Sequence, residues 1–180
     1  MSDQEYDVEW GSDNEYGQEG SAGENSITIE IENNFYEAEG EMKESPQEAL
    51  EKFESVLMLE EQHDKFQYSF NSVKYVVILS AQLGKYDKMT SSLRQLLQIS
   101  SKASQNEMTE AINAVLDVVE THLASKPEQA REMYQLILGS LKNSNGRLWF
   151  QTSLRLANIY FDERSFDKLD SLITELKQSC

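Results

Sequence analysis

Two histidines and one cysteine are the only imidazole and thiol groups in this 180-residue sequence. A structural zinc site needs about four His or Cys ligands at short spacings, and a thiol or hydroxyl nucleophile needs a base held beside it. His63 falls in a polar turn between helical stretches, His122 follows a long helical stretch with no second His or Cys nearby, and Cys180 is the last residue. None has the spacing of a ligand set, and both histidines are read as surface or partly buried structural residues. There is also no GxxxxGK[ST] loop and no GxGxxG, and Gly11, Gly17, Gly20 and Gly23 lie where no helix or strand pattern frames them. No metal, no cofactor and no catalysis are expected.

What remains is chemistry of contact. Lys65, Lys74, Lys85 and Lys88 make one stretch richer in positive charge than its surroundings, and Arg147, Trp149, Phe150 and Arg155 open a later helix. At helical spacing Arg147 and Phe150 share a face. Trp149 and Phe150 are read first as core between helical hairpins, with an anchor for a partner as the alternative. The default for a lysine cluster is a solvated face. Lys65, Lys74, Lys88 and Arg147 are the candidate partner-binding residues.

The elements that position them are helices. Phe35, Tyr36, Ala38 and Met42 suggest a first helix over 33–43, weakened by Gly40. Ser45, Pro46 and Glu48 then spell N-cap, N1 and N3 of a capping box, and the stripe Ala49, Leu50, Phe53, Val56, Leu57 carries a helix to about 62. The segment 65–83 is more apolar and is expected to be covered on more than one side, with Gly84 as its stop. Further stripes predict helices over 86–101, 107–124, 127–141, 148–161 and 166–177, with a turn at 143–146. No period-two run supports a sheet.

The chain also matches itself. PQEALEKFESVL (46–57) aligns with PEQAREMYQLIL (127–138), pairing Pro46 with Pro127, Ala49 with Ala130, Phe53 with Tyr134 and Leu57 with Leu138 at an offset of 81. YDKMTSSLRQLLQ aligns with FDKLDSLITELKQ at an offset of 80. A period of this size holding four helices is two helical hairpins of about 40 residues, as in tetratricopeptide-like arrays. The expected fold is therefore all-α: a right-handed array of antiparallel helical hairpins, an α-solenoid.

Charge divides the chain. The net charge is −16, from 32 acidic and 16 basic residues, and the segment up to Met42 holds 13 acids and no Lys or Arg. Residues 1–28 are expected to be a disordered acidic tail, with Tyr6, Trp10 and Tyr16 as scattered aromatics, and 29–180 to be the helical-repeat domain. The acidic balance argues against nucleic acid or an anionic membrane as partner. No signal sequence or membrane-length apolar run stands out, and a lone cysteine suggests no oxidising compartment, so a cytoplasmic and nuclear setting is expected.

Two segments resemble a known family. ENNFYEAEGEMKESPQEALEKFESVL and, almost position for position, NSNGRLWFQTSLRLANIYFDERSFDKLDSLITELKQSC are similar to the second subunit of the COP9 signalosome, over 32–180 in all. The second match includes Arg147, Leu148, Trp149 and Phe150 and the closing Gln178, Ser179 and Cys180. Weaker similarity extends to the helical-repeat subunits of the proteasome lid, and an adaptor of that complex is the alternative reading. The resemblance implies a protein continuing past Cys180 into further repeats and a PCI assembly domain. It also implies a non-catalytic scaffold bound to other signalosome subunits, whose repeats grip the cullin and RING subunits of ubiquitin ligases. By the same resemblance, deneddylation would be performed by a different, metal-dependent subunit. Lysines of the second hairpin would face the cullin and an inositol polyphosphate; Lys74 keeps one such position, whereas Asn71 stands where a lysine is usual and the loop around His63 is longer.

Overall fold

The computed structural model describes residues 19–141 and 145–179. Among them the chain forms eight α-helices and no strand: α1 (Glu19–Glu41), α2 (Pro46–Gln62), α3 (Ser69–Gln82), α4 (Tyr86–Gln98), α5 (Gln105–His122), α6 (Pro127–Leu141), α7 (Gly146–Asp162) and α8 (Phe166–Ser179), with a 3-10 turn (Ile99–Lys102) after α4. Successive helices pack together from α1 to α4 and from α5 to α8, and the two sets are joined where α3 meets α5 and α4 meets α6. This is a helical-repeat solenoid built from antiparallel hairpins.

The repeat seen in the sequence is a repeat in space. Ala49 and Phe53 of α2 and Ala130 and Tyr134 of α6 are all buried at matching steps of helices that both open on proline. A small side chain lets the neighbouring helix approach and the aromatic a turn later fills the groove beside it. Two cores result. Ile31, Phe35, Leu50, Phe53, Val76 and Leu79 form the first, among α1, α2 and α3. Phe70, Val73, Val77 and Ala81 turn the other side of α3 into the second, which runs on through α8. The expectation that this apolar helix is covered on more than one side holds.

Helix ends follow local chemistry. α2, α3 and α7 finish with Asp64, Gly84 and Arg164 at φ of 50°, 69° and 55°, the left-handed turn that closes a helix. In each the next N–H reaches back to a carbonyl five residues earlier: Lys65 to Glu60, Lys85 to Ser80 and Ser165 to Tyr160, all at 2.8 Å.

Four expectations need correction. The first helix starts at Glu19, not near 33, because Ile27 and Ile31 stand one turn apart ahead of Phe35, and burial of Ile31 favours helix through a stretch that glycine content marks as disordered. Residues 1–18, with Tyr6, Trp10 and Tyr16, and residues 142–144 of the turn lie outside the described residues. Ser45 is the N-cap of α2 but its hydroxyl makes no cap bond, and its N–H, which Glu48 was to accept, donates instead to the Glu41 carbonyl at 2.8 Å. A complete capping box sits at Ser104 and Glu107, starting α5 two residues before the predicted 107. Finally, α3 begins at Ser69 rather than 65, because the buried Glu60 carboxylate takes over 67–69: it accepts from the N–H groups of Gln67 and Tyr68 at 2.8 Å each and from the Ser69 hydroxyl.

Candidate partner-binding surface

The four candidate side chains stand in different surroundings. Lys65 follows the left-handed Asp64 at the end of α2, and its Nζ lies 3.8 Å from the Glu24 carboxylate of α1. Lys88, in the first turn of α4, is paired with Glu54 of α2. Lys74, midway along α3, donates to the Asn71 Oδ1 at 2.9 Å and lies 4.4 Å from the centre of the Tyr75 ring. Asn71 thus serves as a partner for Lys74 where a lysine would repel it.

Burial pushes the Lys74 ammonium below its ordinary range, while Glu110 and Glu107 of α5 and Glu39 of α1 pull it back up. Each of the three lysines is therefore met by carboxylates from a neighbouring helix. Arg147 differs. It is exposed in the first turn of α7 and has no ion pair among the described residues.

A cleft of about 550 Å³ opens beside Lys65. Lys102 reaches into it from the turn after α4 and stacks its ammonium 4.2 Å from the Phe66 ring centre. Neither Lys102 nor Glu60 was singled out from the sequence, since nothing in their immediate neighbours marks them; only the fold brings the turn after α4 against the end of α2. Glu54, Glu60, Glu61 and Asp64 line the same cleft against Lys65 and Lys102, so acids outnumber bases. It does not have the net positive field that holds a polyphosphate.

Three exposed large hydrophobic side chains, Phe150, Leu154 and Phe161, lie on the seventh helix. Trp149 is core, 6% exposed, but Phe150 is 42% exposed, so the core reading holds for one of the pair and not the other. Trp149 joins the larger core whereas Phe150 falls on the stripe shared with Arg147, Leu154 and Phe161, the last two being 46% and 63% exposed. The first half of the molecule explains this. Phe70 and Ala81 of α3, the counterparts of Phe150 and Phe161 at an offset of 80, are 7% and 2% exposed because α5 packs over them. Likewise Leu93 of α4 is fully buried under α6 while its counterpart Ile173 of α8 is 36% exposed. One apolar face, covered in the first half, is uncovered in the second.

Among the described residues no group of three His, Cys, Asp or Glu side chains converges as a metal site, and no helix is long and apolar enough to cross a membrane. His63 and His122 are exposed, in the turn after α2 and the last turn of α5. Cys180 lies outside the described residues.

This is the geometry of a helical-repeat protein. No protein-family model matches the chain. Among curated proteins, a COP9 signalosome complex subunit 2 from Drosophila melanogaster is 33% identical over 183 residues, covering 100% of this chain and 40% of the fly protein. The proteins of that name from Dictyostelium discoideum and Caenorhabditis elegans are 32% and 33% identical, over 84% of this chain and 34% and 30% of their own length. The chain belongs to the COP9 signalosome subunit 2 family. It spans 40% or less of the length of these relatives.

Proposed function

We propose that this chain is a non-catalytic scaffold piece of the COP9 signalosome, whose helical hairpins hold the cullin and RING subunits of ubiquitin ligases while another subunit removes the ubiquitin-like modifier. The observation that carries the proposal is the whole-length similarity to proteins named as subunit 2 of that complex. The fold supports it: two stacked repeats present long surfaces and an uncovered apolar face at α7 and α8, which suits assembly with further helices. Other signalosome subunits are the partners proposed for that face. Cullin and RING subunits are proposed for the long surfaces, in the cytoplasm and nucleus. Acids surround Lys65 and Lys74, so the proposal leans on protein surfaces rather than on the inositol polyphosphate implied by the resemblance.

Affinity capture of the tagged natural protein from cells, read by mass spectrometry, tests this. Recovery of signalosome subunits together with cullins is expected. Recovery of proteasome lid subunits in their place would overturn it in favour of an adaptor of that complex.

A further inference from the structure

A cleft of about 450 Å³ lies where the end of α5 and the start of α6 meet the last two turns of α7. Its floor is apolar, formed by Leu123, Pro127, Ala130, Tyr134 and Ile159. The same place exists in the first half, between α1, α2 and α3, and there it is filled. Tyr75 of α3 lays its ring 4.9 Å from that of Phe53 and donates its hydroxyl to the Glu39 carboxylate at 2.7 Å. Met42 and Leu83 pack against this core.

In the second half Glu120 stands for Glu39 and Tyr134 for Phe53, but Arg155 takes the place of Tyr75. Arg155 keeps the bond to the carboxylate, donating its Nε to Glu120, yet supplies no ring. Asn158 and Glu163 replace the apolar Ile78 and Leu83. Tyr134 is left without a ring partner, and although the residue is only 4% exposed its hydroxyl is not among the fully buried polar atoms: it makes no protein hydrogen bond among the described residues and reaches solvent at the cleft. What the second half lacks is therefore the ring that completes the packing in the first half, and the place it would take is an apolar notch open to solvent.

We propose that this notch is a docking site for an aromatic side chain carried, next to a lysine or arginine, on an exposed peptide segment of a partner protein. The first half shows which side chain completes the packing: an aromatic ring set against the residue at the Phe53 and Tyr134 position, as Tyr75 does. The rim sets its neighbour. Glu120 is occupied by Arg155 and Glu163 by Arg131 at 2.5 Å, whereas Asp162, exposed in the last turn of α7, has no ion pair among the described residues. A basic residue flanking the ring would meet Asp162 there. None of Phe150, Leu154 and Phe161 lines the notch, so it is distinct from the uncovered stripe of α7.

The test is an NMR titration of the full 180-residue chain with N-acetyl-phenylalanyl-arginine amide, against the alanyl-arginine and phenylalanyl-glutamate analogues. Saturable shifts at Ala130, Tyr134 and Ile159 are expected, with roughly tenfold weaker binding of either analogue. Asn158→Trp, which fills the mouth from an exposed position, and Arg155→Tyr, which restores the ring of the first half, should both abolish the shifts while the protein remains folded. Equal binding of all three probes, shifts that do not saturate, or binding that survives both variants would overturn the proposal.

Discussion

Phe53 and Tyr134 occupy one and the same packing position, 81 residues apart in sequence and buried in both halves of the array. Each follows a buried alanine by one helical turn. Truncating either ring leaves a cavity in a close-packed core, so Phe53→Ala and Tyr134→Ala are each expected to cost about 3 to 5 kcal/mol in denaturant melts. A cost below about 1 kcal/mol at both positions would contradict the equivalence of the halves.

Glu60 performs for α3 what a local cap performs elsewhere. Asn145 caps α7 from the residue before it, accepting from the Leu148 N–H at 3.1 Å, whereas α3 relies on a fully buried carboxylate one helix upstream. Removing it strands two backbone donors and the Ser69 hydroxyl. Glu60→Ala is expected to destabilise by about 3 kcal/mol, and Glu60→Gln by less because an amide oxygen still accepts. Equal stability of Glu60→Ala and wild type would show that 67–69 finds other partners.

Gly84 and Arg164 are counterparts at the ends of α3 and α7, with φ of 69° and 55°. A side chain in this left-handed region costs about 1 kcal/mol, and glycine avoids it. Arg164, exposed and with no ion pair among the described residues, gains nothing in return, so Arg164→Gly is expected to raise the Tm and Gly84→Ala to lower it. Opposite signs would mean that the two turns are not equivalent.

Burial holds the phenols of Tyr68, Tyr75 and Tyr134 up, each to about 12, with neighbouring carboxylates adding to the effect. In the unfolded chain a phenol ionises near about 10. Between those values the unfolded state releases protons that the folded state keeps, so the stability these groups contribute is full below about pH 10 and is lost as pH rises through about 12. Denaturation midpoints should fall over that window, and less steeply in Tyr75→Phe. A midpoint that stays level across it would contradict the burial of these rings.

Much of the array was legible in the sequence because proline starts, apolar stripes and the internal match are all local or periodic signals. Pro46, Tyr86, Pro127 and Phe166 open helices where expected, and Gly84 closes one. The start of α1 was missed although Ile27, Ile31 and Phe35 form a stripe at four-residue spacing, because the acids and glycines around them read as tail. The surroundings of the lysines were not legible at all. Lys88 meets Glu54 and Lys65 meets Glu24 only after hairpins have stacked, and no spacing rule along the chain connects such pairs. The uncovered stripe of α7 was half visible: Arg147 and Phe150 were placed on one face, but that no helix among the described residues lies over them is a fact of packing.

Those surroundings also decide how the proposed role is best tested. Lys74→Glu would set a fourth carboxylate among Glu39, Glu107 and Glu110 and disturb the fold, so it cannot report on binding alone. Lys65→Glu with Lys102→Glu changes charge at two side chains of one cleft, the first weakly paired and the second without an ion pair among the described residues. The most direct measurement is association of the purified chain, wild type and this double variant, with a purified cullin–RING pair at low and high salt. Saturable binding is expected for the wild type, faster at low salt and slowed in the double variant, since complementary charge acts on association rate. A folded wild-type chain that shows no binding to the pair even at low salt would contradict the account.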